Sequence, residues 1–331
     1  MFSKASKSKL FSPLALMFSA CLGMGVSMQA TAVDEVHFLI PGGAGGGWDG
    51  TARGTGEALT KSGLLKSASY ENMSGGGGGK AIAHLIETAG QDNKNTLMVN
   101  STPIVIRYLY KVFPQSFRDL TPVAGTIGDY GAFVVRNDSK YKTFQDILKD
   151  FRYDASAIKF GGGSARGSMD HLVPAMVIKA AGDFPDRLVY VAYDAGGKAM
   201  AGLLSGEVGV LSTGLSEALA LAKAGEVRIL AMTGDKRSDG APDVPTVKEQ
   251  GIDMTFVNWR GFFAAPGISD DKKNEYISLL KKMYDTPEWE TVRARNGWEE
   301  IFNPDAEFIS FLEKQEETMK GLLIELGFMK K

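Results

Sequence analysis

Short apolar runs alternate with amphipathic stretches along most of the chain. Runs at 36–40, 67–71, 96–99, 132–135, 158–160, 188–191, 208–211 and 229–232 are candidate strands. Between them, apolar positions recur at helical spacing over 51–62, 80–89, 144–151, 168–181, 198–205 and 216–224. Strand–helix alternation predicts an α/β protein built on parallel, doubly wound sheets. So many strands at this length predict two modules and not one. The C-terminal third changes character. Ser269-Asp270-Asp271 caps a helix that runs to about Asp285, Pro287 opens a shorter one, and Pro304 opens a last helix. In that last helix Ile309, Leu312, Met319, Leu323 and Leu326 fall near one face.

The first residues follow a different pattern. Lys4, Lys7 and Lys9 precede an uncharged, mostly apolar run from Leu10 to Val26, and Ala30-Thr31-Ala32 makes an A-x-A site. A basic start, an apolar middle and small residues at the end predict a signal peptide spanning 1–32, cleaved near Ala32. Ser12, Pro13, Ser19, Gly23 and Gly25 interrupt the run, which disfavours a membrane anchor. Cys21 follows Phe18-Ser19-Ala20, a poor lipoprotein box because of Phe18, so lipid attachment at Cys21 is the lesser alternative. Removing 1–32 takes away three lysines and no acid, which moves the formal charge from −2 to −5. That balance disfavours nucleic acid as a partner. The expected product is a soluble, exported, mildly acidic protein without cysteine.

Glycines concentrate at the strand-to-helix junctions, where ligands of open α/β sheets bind and helix N-termini point. In the first junction Gly45-x-Gly47-x-x-Gly50 fits a dinucleotide fingerprint, and Glu71 ends the next strand, where a ribose-binding acid would stand. Two features oppose a pyrophosphate. Pro41-Gly42-Gly43-Ala44 lengthens the loop, and Asp49 beside the bulky Trp48 adds a negative charge. A small hydroxylated acid could instead use Asp49 as an acceptor. Ser74 to Ala81 resembles a phosphate-binding loop, but Ser74 replaces its first glycine and Ala81 its magnesium-holding hydroxyl. Lys80 then reads as a solvated first-turn residue. The third junction, Gly161 to His171, offers Ser164, Ser168 and exposed amides as donors to a carboxylate. Arg166 there is either a bidentate clamp or a surface arginine. Asp194 in a fourth junction and Thr213 in a fifth complete the polar candidates, although hydroxyls in such places also cap helices, as Ser216 would.

Catalytic constellations are not evident. His37, His84 and His171 are scattered, and no metal-ligand spacing, nucleophile elbow or reactive thiol is present. The expectation is a binding protein with no catalytic residue, no metal and no cofactor. An exported α/β enzyme and an exported sensor of organic acids are the rival classes.

Taken together, several segments resemble one family. They are "PGGAGGGWDGTAR", "YENMSGGGGG", "LTPVAGTIGDYGAFVVRNDSKYKTFQDIL", "GGGSARGSMDHL", the long stretch from "VYVAYDAGGKAM" to "VPTVKEQGI", and "NWRGFFAAPGI". In this order they are similar to the Bug-type extracytoplasmic receptors of tripartite tricarboxylate transporters, with the forms "GGWD" and "GGGSA" nearest the citrate or tricarboxylate branch. The resemblance implies a type II periplasmic binding fold, with two doubly wound α/β lobes joined by two crossovers acting as a hinge. It implies a first lobe of 33–132 plus 259–331 and a second of 133–258. It also implies a monomer that closes over a small carboxylate and delivers it to the membrane subunits of a transporter. Carried over by position, the ligand contacts would be Trp48, Asp49 and Thr51 on one side and Ser164, Gly167 and Ser168 on the other, beside the candidates Gly47, Arg166, Asp194 and Thr213. Two departures stand out: Met73 replaces a turn proline, and Arg166 stands where that branch often carries proline.

Overall fold

A computed structural model describes Met1, residues 33–90 and residues 95–330. The expected signal peptide, its cleavage site and Cys21 lie outside the described residues. The described chain is α/β. Strands β1 (Glu35–Ile40), β2 (Ser67–Asn72) and β3 (Thr96–Ser101) alternate with helices α1 (Gly47–Lys61), α2 (Gly79–Glu87) and α3 (Pro103–Leu109). A long strand β4 (Thr121–Arg136) follows, then α4 (Phe144–Tyr153), β5 (Lys159–Gly162), α5 (Met169–Ala180), β6 (Val189–Ala192), α6 (Gly196–Leu204), β7 (Val210–Gly214), α7 (Leu215–Lys223) and β8 (Val227–Met232). Strand β9 (Val257–Ala264) leads to α8 (Asp270–Tyr284), α9 (Pro287–Asn296), β10 (Glu299–Pro304) and α10 (Asp305–Glu325).

The strands join in the order β2-β1-β3-β9-β4-β7-β5-β6, with β8 and β10 also pairing β4. The pairs β1–β2, β1–β3, β5–β6 and β5–β7 are parallel, as strand–helix alternation predicts. The middle is antiparallel, and the pattern of apolar runs does not reveal it. Strand β4 pairs β9 over Thr121 to Tyr130, then pairs β7 and β8 over Gly131 to Arg136. One strand therefore serves two sheets. Its first half, TPVAGTIGDY, carries proline, glycine and aspartate where period-2 alternation would be sought. It is buried over nearly its whole length, so neither face needs to be polar.

Three apolar clusters hold these layers. Phe38, Ile40, Ala52, Leu59 and Val99 pack with Phe262, Tyr276, Leu280, Trp289 and Trp298, so α1, α8 and α9 cover one face of β1, β3 and β9. Leu203, Leu211, Leu215 and Leu219 form a second cluster between α6, α7 and β7. The third runs from Ile104 and Ile106 through Phe133 and Phe144 to Phe308 and Leu323, so it links α3 and α10 with α4 and α5. Helix starts follow local chemistry. Thr143 and Asp146 form a reciprocal capping box on α4. Ser269 caps α8, and Pro287 occupies the first turn of α9 behind the cap Thr286. Among the described residues no helix is long and apolar enough to cross a membrane.

Candidate functional site

The loops at the carboxyl ends of β1, β2, β5 and β6 converge on a cavity of about 510 Å³. Ten of its 28 lining residues are glycines, so main-chain groups form much of its surface. The β1–α1 loop contributes Gly42, Gly43, Gly46, Gly47 and Trp48. Gly45 turns the backbone at φ +75°, where a side chain would be strained. The Asp49 carboxylate fastens this turn: it accepts from the Gly45 amide at 3.1 Å, Arg53 Nε at 2.8 Å and Asn72 Nδ2 at 3.0 Å. Trp48 Nε1 donates to Ser101 Oγ at 2.9 Å, fixing the indole on the wall. Beside it, Gly75 to Gly78 run through four successive positive-φ conformations and line the cavity too.

The facing wall comes from the other sheet. Gly163, Ser164, Ser168 and Asp170 lead from β5 into α5, and Tyr193, Asp194, Ala195 and Gly196 lead from β6 into α6. Ser168 stands at the N-terminus of α5, yet its hydroxyl makes no cap bond. Gly163 is required by packing: a Cβ there would fall 2.6 Å from the Ala195 carbonyl carbon. The two glycine loops also touch. A Cβ on Gly196 would lie 3.2 Å from the Gly45 oxygen, and one on Gly197 would lie 3.1 Å from the Ala44 oxygen. Backbone meets backbone here because neither loop carries a side chain between them.

Charge sits at the base of the cavity. Arg260 on β9 is 3% exposed and reaches Asp129 of β4 at 2.9 Å, Glu217 of α7 at 3.7 Å and Thr51 Oγ1 of α1 at 3.3 Å. Asp129 is fully buried and also accepts from the Ser216 amide and hydroxyl. Burial pushes the Glu217 carboxyl up to about 7, with Asp170 adding to the rise. Burial likewise pushes Asp170 up to about 6. Near neutral pH both wall carboxyls therefore hold protons part of the time and can donate to a bound anion. Arg107 on α3 also lines the cavity and is 5% exposed.

Of the residues marked in the sequence, Gly47, Trp48, Ser164, Ser168 and Asp194 line this cavity, on both of its walls. Asp49, Thr51, Arg166, Gly167 and Thr213 do not. Asp49 is 6% exposed and spends both oxygens inside the protein, so it shapes the loop and is no open acceptor. Thr51 Oγ1 donates to the Gly47 carbonyl at 2.8 Å. Thr213 Oγ1 donates to Glu217 at 2.8 Å. Arg166 is exposed, and its guanidinium contacts the Tyr190 carbonyl at 3.4 Å. The Gly167 amide donates to His171 Nδ1 at 2.9 Å, and burial pulls that imidazole down to about 4. His171 is thus a neutral, packed ring off the cavity wall. Ser216 does not cap α7, whose cap position is Gly214; it binds Asp129 instead. Lys80 is likewise absent from the wall.

Arg107, Asp170, Glu217, Asn258 and Arg260 also line the cavity and went unmarked in the sequence. Arg260 and Asn258 lie on a strand without alternation, and Glu217 looks like an ordinary first-turn acid. A lone arginine in the apolar stretch PIVIRYL was the one available signal for Arg107.

The family and the fold recur among known proteins. Residues 53–328 match the family described as tripartite tricarboxylate transporter family receptor. The UPF0065 protein in the TAR-I ttuE-ttuC' intergenic region of Agrobacterium vitis is 28% identical over 75% of this chain and 71% of its own length. The fold recurs in the periplasmic binding protein BugD, with a TM-score of 0.78, 20% identity, and coverage of 88% of this chain and 97% of that one. It recurs in Rpa4515 of R. palustris, solved with adipate (TM-score 0.79, 20% identity, 88% and 97% covered). MatC of Rhodopseudomonas palustris, solved with bound malate, scores 0.75 at 19% identity, with 87% and 98% covered.

Proposed function

The chain belongs to the tripartite tricarboxylate transporter receptor family, whose members are periplasmic solute-binding proteins, and from that premise we propose that it captures a small di- or tricarboxylate in this cavity and hands it to the transporter's membrane subunits. The observation that carries the reading is the pairing of glycine loops from two sheets around one cavity with arginines in its wall. Exposed amides, serine hydroxyls and guanidinium groups suit carboxylate oxygens, and glycine lets the ligand approach the main chain. Malate and adipate, bound by two proteins of the same fold, belong to the same chemical class. Citrate fits the branch suggested by "GGWD" and "GGGSA".

In this reading the two halves of the chain, 33–132 plus 259–331 and 133–258, act as lobes. Both boundaries fall inside β4 and β9, the paired strands that run between the sheets. Bending those two strands would open the cavity while leaving each sheet intact. A ligand stabilises the closed form only through contacts made when both walls are present. Donors from Gly47 and Trp48 on one wall and Ser164 and Ser168 on the other meet that condition.

Thermal unfolding of the purified protein with malate, adipate, citrate and glutarate tests the proposal. An acid present at 100 times its dissociation constant adds about 2.7 kcal/mol, a rise of several degrees. Ser168→Ala lowers affinity for the best acid without lowering the melting temperature of the free protein. Flat melting curves with every acid, or full affinity in Ser168→Ala together with Gly47→Val, would place the ligand elsewhere.

A further inference from the structure

Arginines 107 and 260 share the cavity wall but differ in one respect. Arg260 is paired with Asp129 at 2.9 Å and lies 3.7 Å from Glu217. Arg107 belongs to no ion pair among the described residues, and its buried Nε has no hydrogen-bond partner. Burial pulls its guanidinium below the ordinary arginine value, and the neighbouring phenols of Tyr110 and Tyr190, themselves raised by burial, carry no charge near neutral pH to offset it. The polyglycine turn lies directly against it: a Cβ on Gly77 would stand 2.9 Å from Arg107 Nε. Gly77 holds φ +65°, so the close approach is built into the loop. A cation 95% removed from solvent and left unpaired lowers stability unless something supplies the missing anion.

The geometry points to Arg107 as the anchor for a second carboxylate, so that the cavity selects dicarboxylic acids over monocarboxylic acids of the same chain length. This rests on the reading that the cavity takes organic acids. It adds which part of the protein counts the acidic groups. One carboxylate meets the amides and hydroxyls of the facing loops. The other meets a guanidinium that no side chain satisfies, in a site screened from water, where a charge-assisted pair is strong. The orphan cation is then a cost carried by the free protein and removed by the ligand.

Isothermal titration of the full protein with matched acids tests this: adipate against hexanoate, and malate against 3-hydroxybutyrate. The wild type prefers each diacid. Arg107→Gln loses about 10- to 100-fold in diacid affinity, the range expected for a hydrogen bond to a charged group, and changes less than about threefold toward the monoacid. Arg107→Lys keeps the charge and retains most of the preference. Without acid, Arg107→Gln melts no lower than the wild type, because no internal partner is lost. An unchanged diacid-to-monoacid ratio overturns the proposal, and so does an equal loss for both acids. A fall of more than about 5 °C in the free variant would reveal a structural partner and overturn it as well. If the wild type binds no acid at all, the functional reading itself falls. Wild-type binding with an insensitive Arg107→Gln removes only this assignment.

Discussion

Replacing Arg260 by methionine tests the joint beneath the cavity. The guanidinium ties β9 to α1 through Thr51, to β4 through Asp129 and to α7 through Glu217, so one side chain stitches both sheets. At 2.9 Å, with an effective dielectric constant near 20, the Arg260–Asp129 attraction is roughly 6 kcal/mol before desolvation. Desolvation of two buried ions offsets much of that, so the net value of the intact pair is small. Removing one partner is different. Asp129 is fully buried, and in Arg260→Met it keeps only the Ser216 donors. Stranding a buried charge costs about 3–5 kcal/mol. For a chain of this size that is a loss of roughly 10 °C in melting temperature. Urea unfolding followed by tryptophan fluorescence reads the change directly, since Trp259 neighbours Arg260 in β9. Arg260→Met with Asp129→Asn removes both charges and recovers at least half of the loss. A single-variant cost under about 1 kcal/mol, or a double variant no better than the single, would refute the reasoning.

Four further outcomes follow from the same contacts. Glu217 and Asp170 hold protons in the native protein up to about pH 7 and 6, whereas the unfolded chain releases them near pH 4. The native state therefore binds more protons across that window, and stability falls as pH rises from about 4.5 to 7. Glu217→Gln flattens this slope in urea titrations at pH 5 and pH 8; an identical slope would contradict the assignment. Acid affinity measured by calorimetry tightens as pH falls from about 8 to 6, because the wall carboxyls become neutral and stop repelling a ligand that is itself still ionised. Gly163→Ala pushes on the Ala195–Gly196 backbone, costs about 1–3 kcal/mol of packing and lowers acid affinity at least tenfold; wild-type affinity would show that the loop gives way freely. Asp49→Ala frees the Gly45 amide and Arg53, costs about 1–2 kcal/mol and weakens binding several-fold through the loosened loop. Equal loss of stability with undiminished binding would make Asp49 a purely structural residue.

Most of the outer elements were legible because each obeys a local rule. Parallel strands such as β1 and β7 are apolar runs that lead into glycine, whereas β2 (SASYEN) is largely polar and exposed, and the helices between them carry an apolar stripe. Local periodicity did not show the connection between the sheets, which only the family resemblance implied as two crossovers. The first half of β4 and all of β9 contain glycine, proline, aspartate and arginine at positions that neither strand nor helix periodicity can use. They are strands because two antiparallel partners cover both their edges, and that is tertiary information. β10 pairs β4 with a shift in register, again through contact and not through local propensity. Helix α3 was missed because Pro103 starts it at once and its seven residues are too few to show a period.

The site divides along the same line. Glycines and serines at strand ends could be found because a loop that exposes its main chain has a recognisable composition, and Gly47, Trp48, Ser164, Ser168 and Asp194 do line the cavity. The charges could not be found that way. Arg260, Glu217 and Asp129 come from β9, α7 and β4, and their meaning lies entirely in being 2.9–3.7 Å apart. Asp49 shows the converse: a carboxylate beside a glycine loop looks like a ligand acceptor until its two oxygens are counted and found occupied by three internal donors. Counting donors against acceptors in the same way separates the two buried arginines. Arg260 has partners on several sides and belongs to the fold, whereas Arg107 has no ion pair among the described residues and an unpartnered Nε, and its guanidinium is the wall group left to meet a carboxylate from outside the chain.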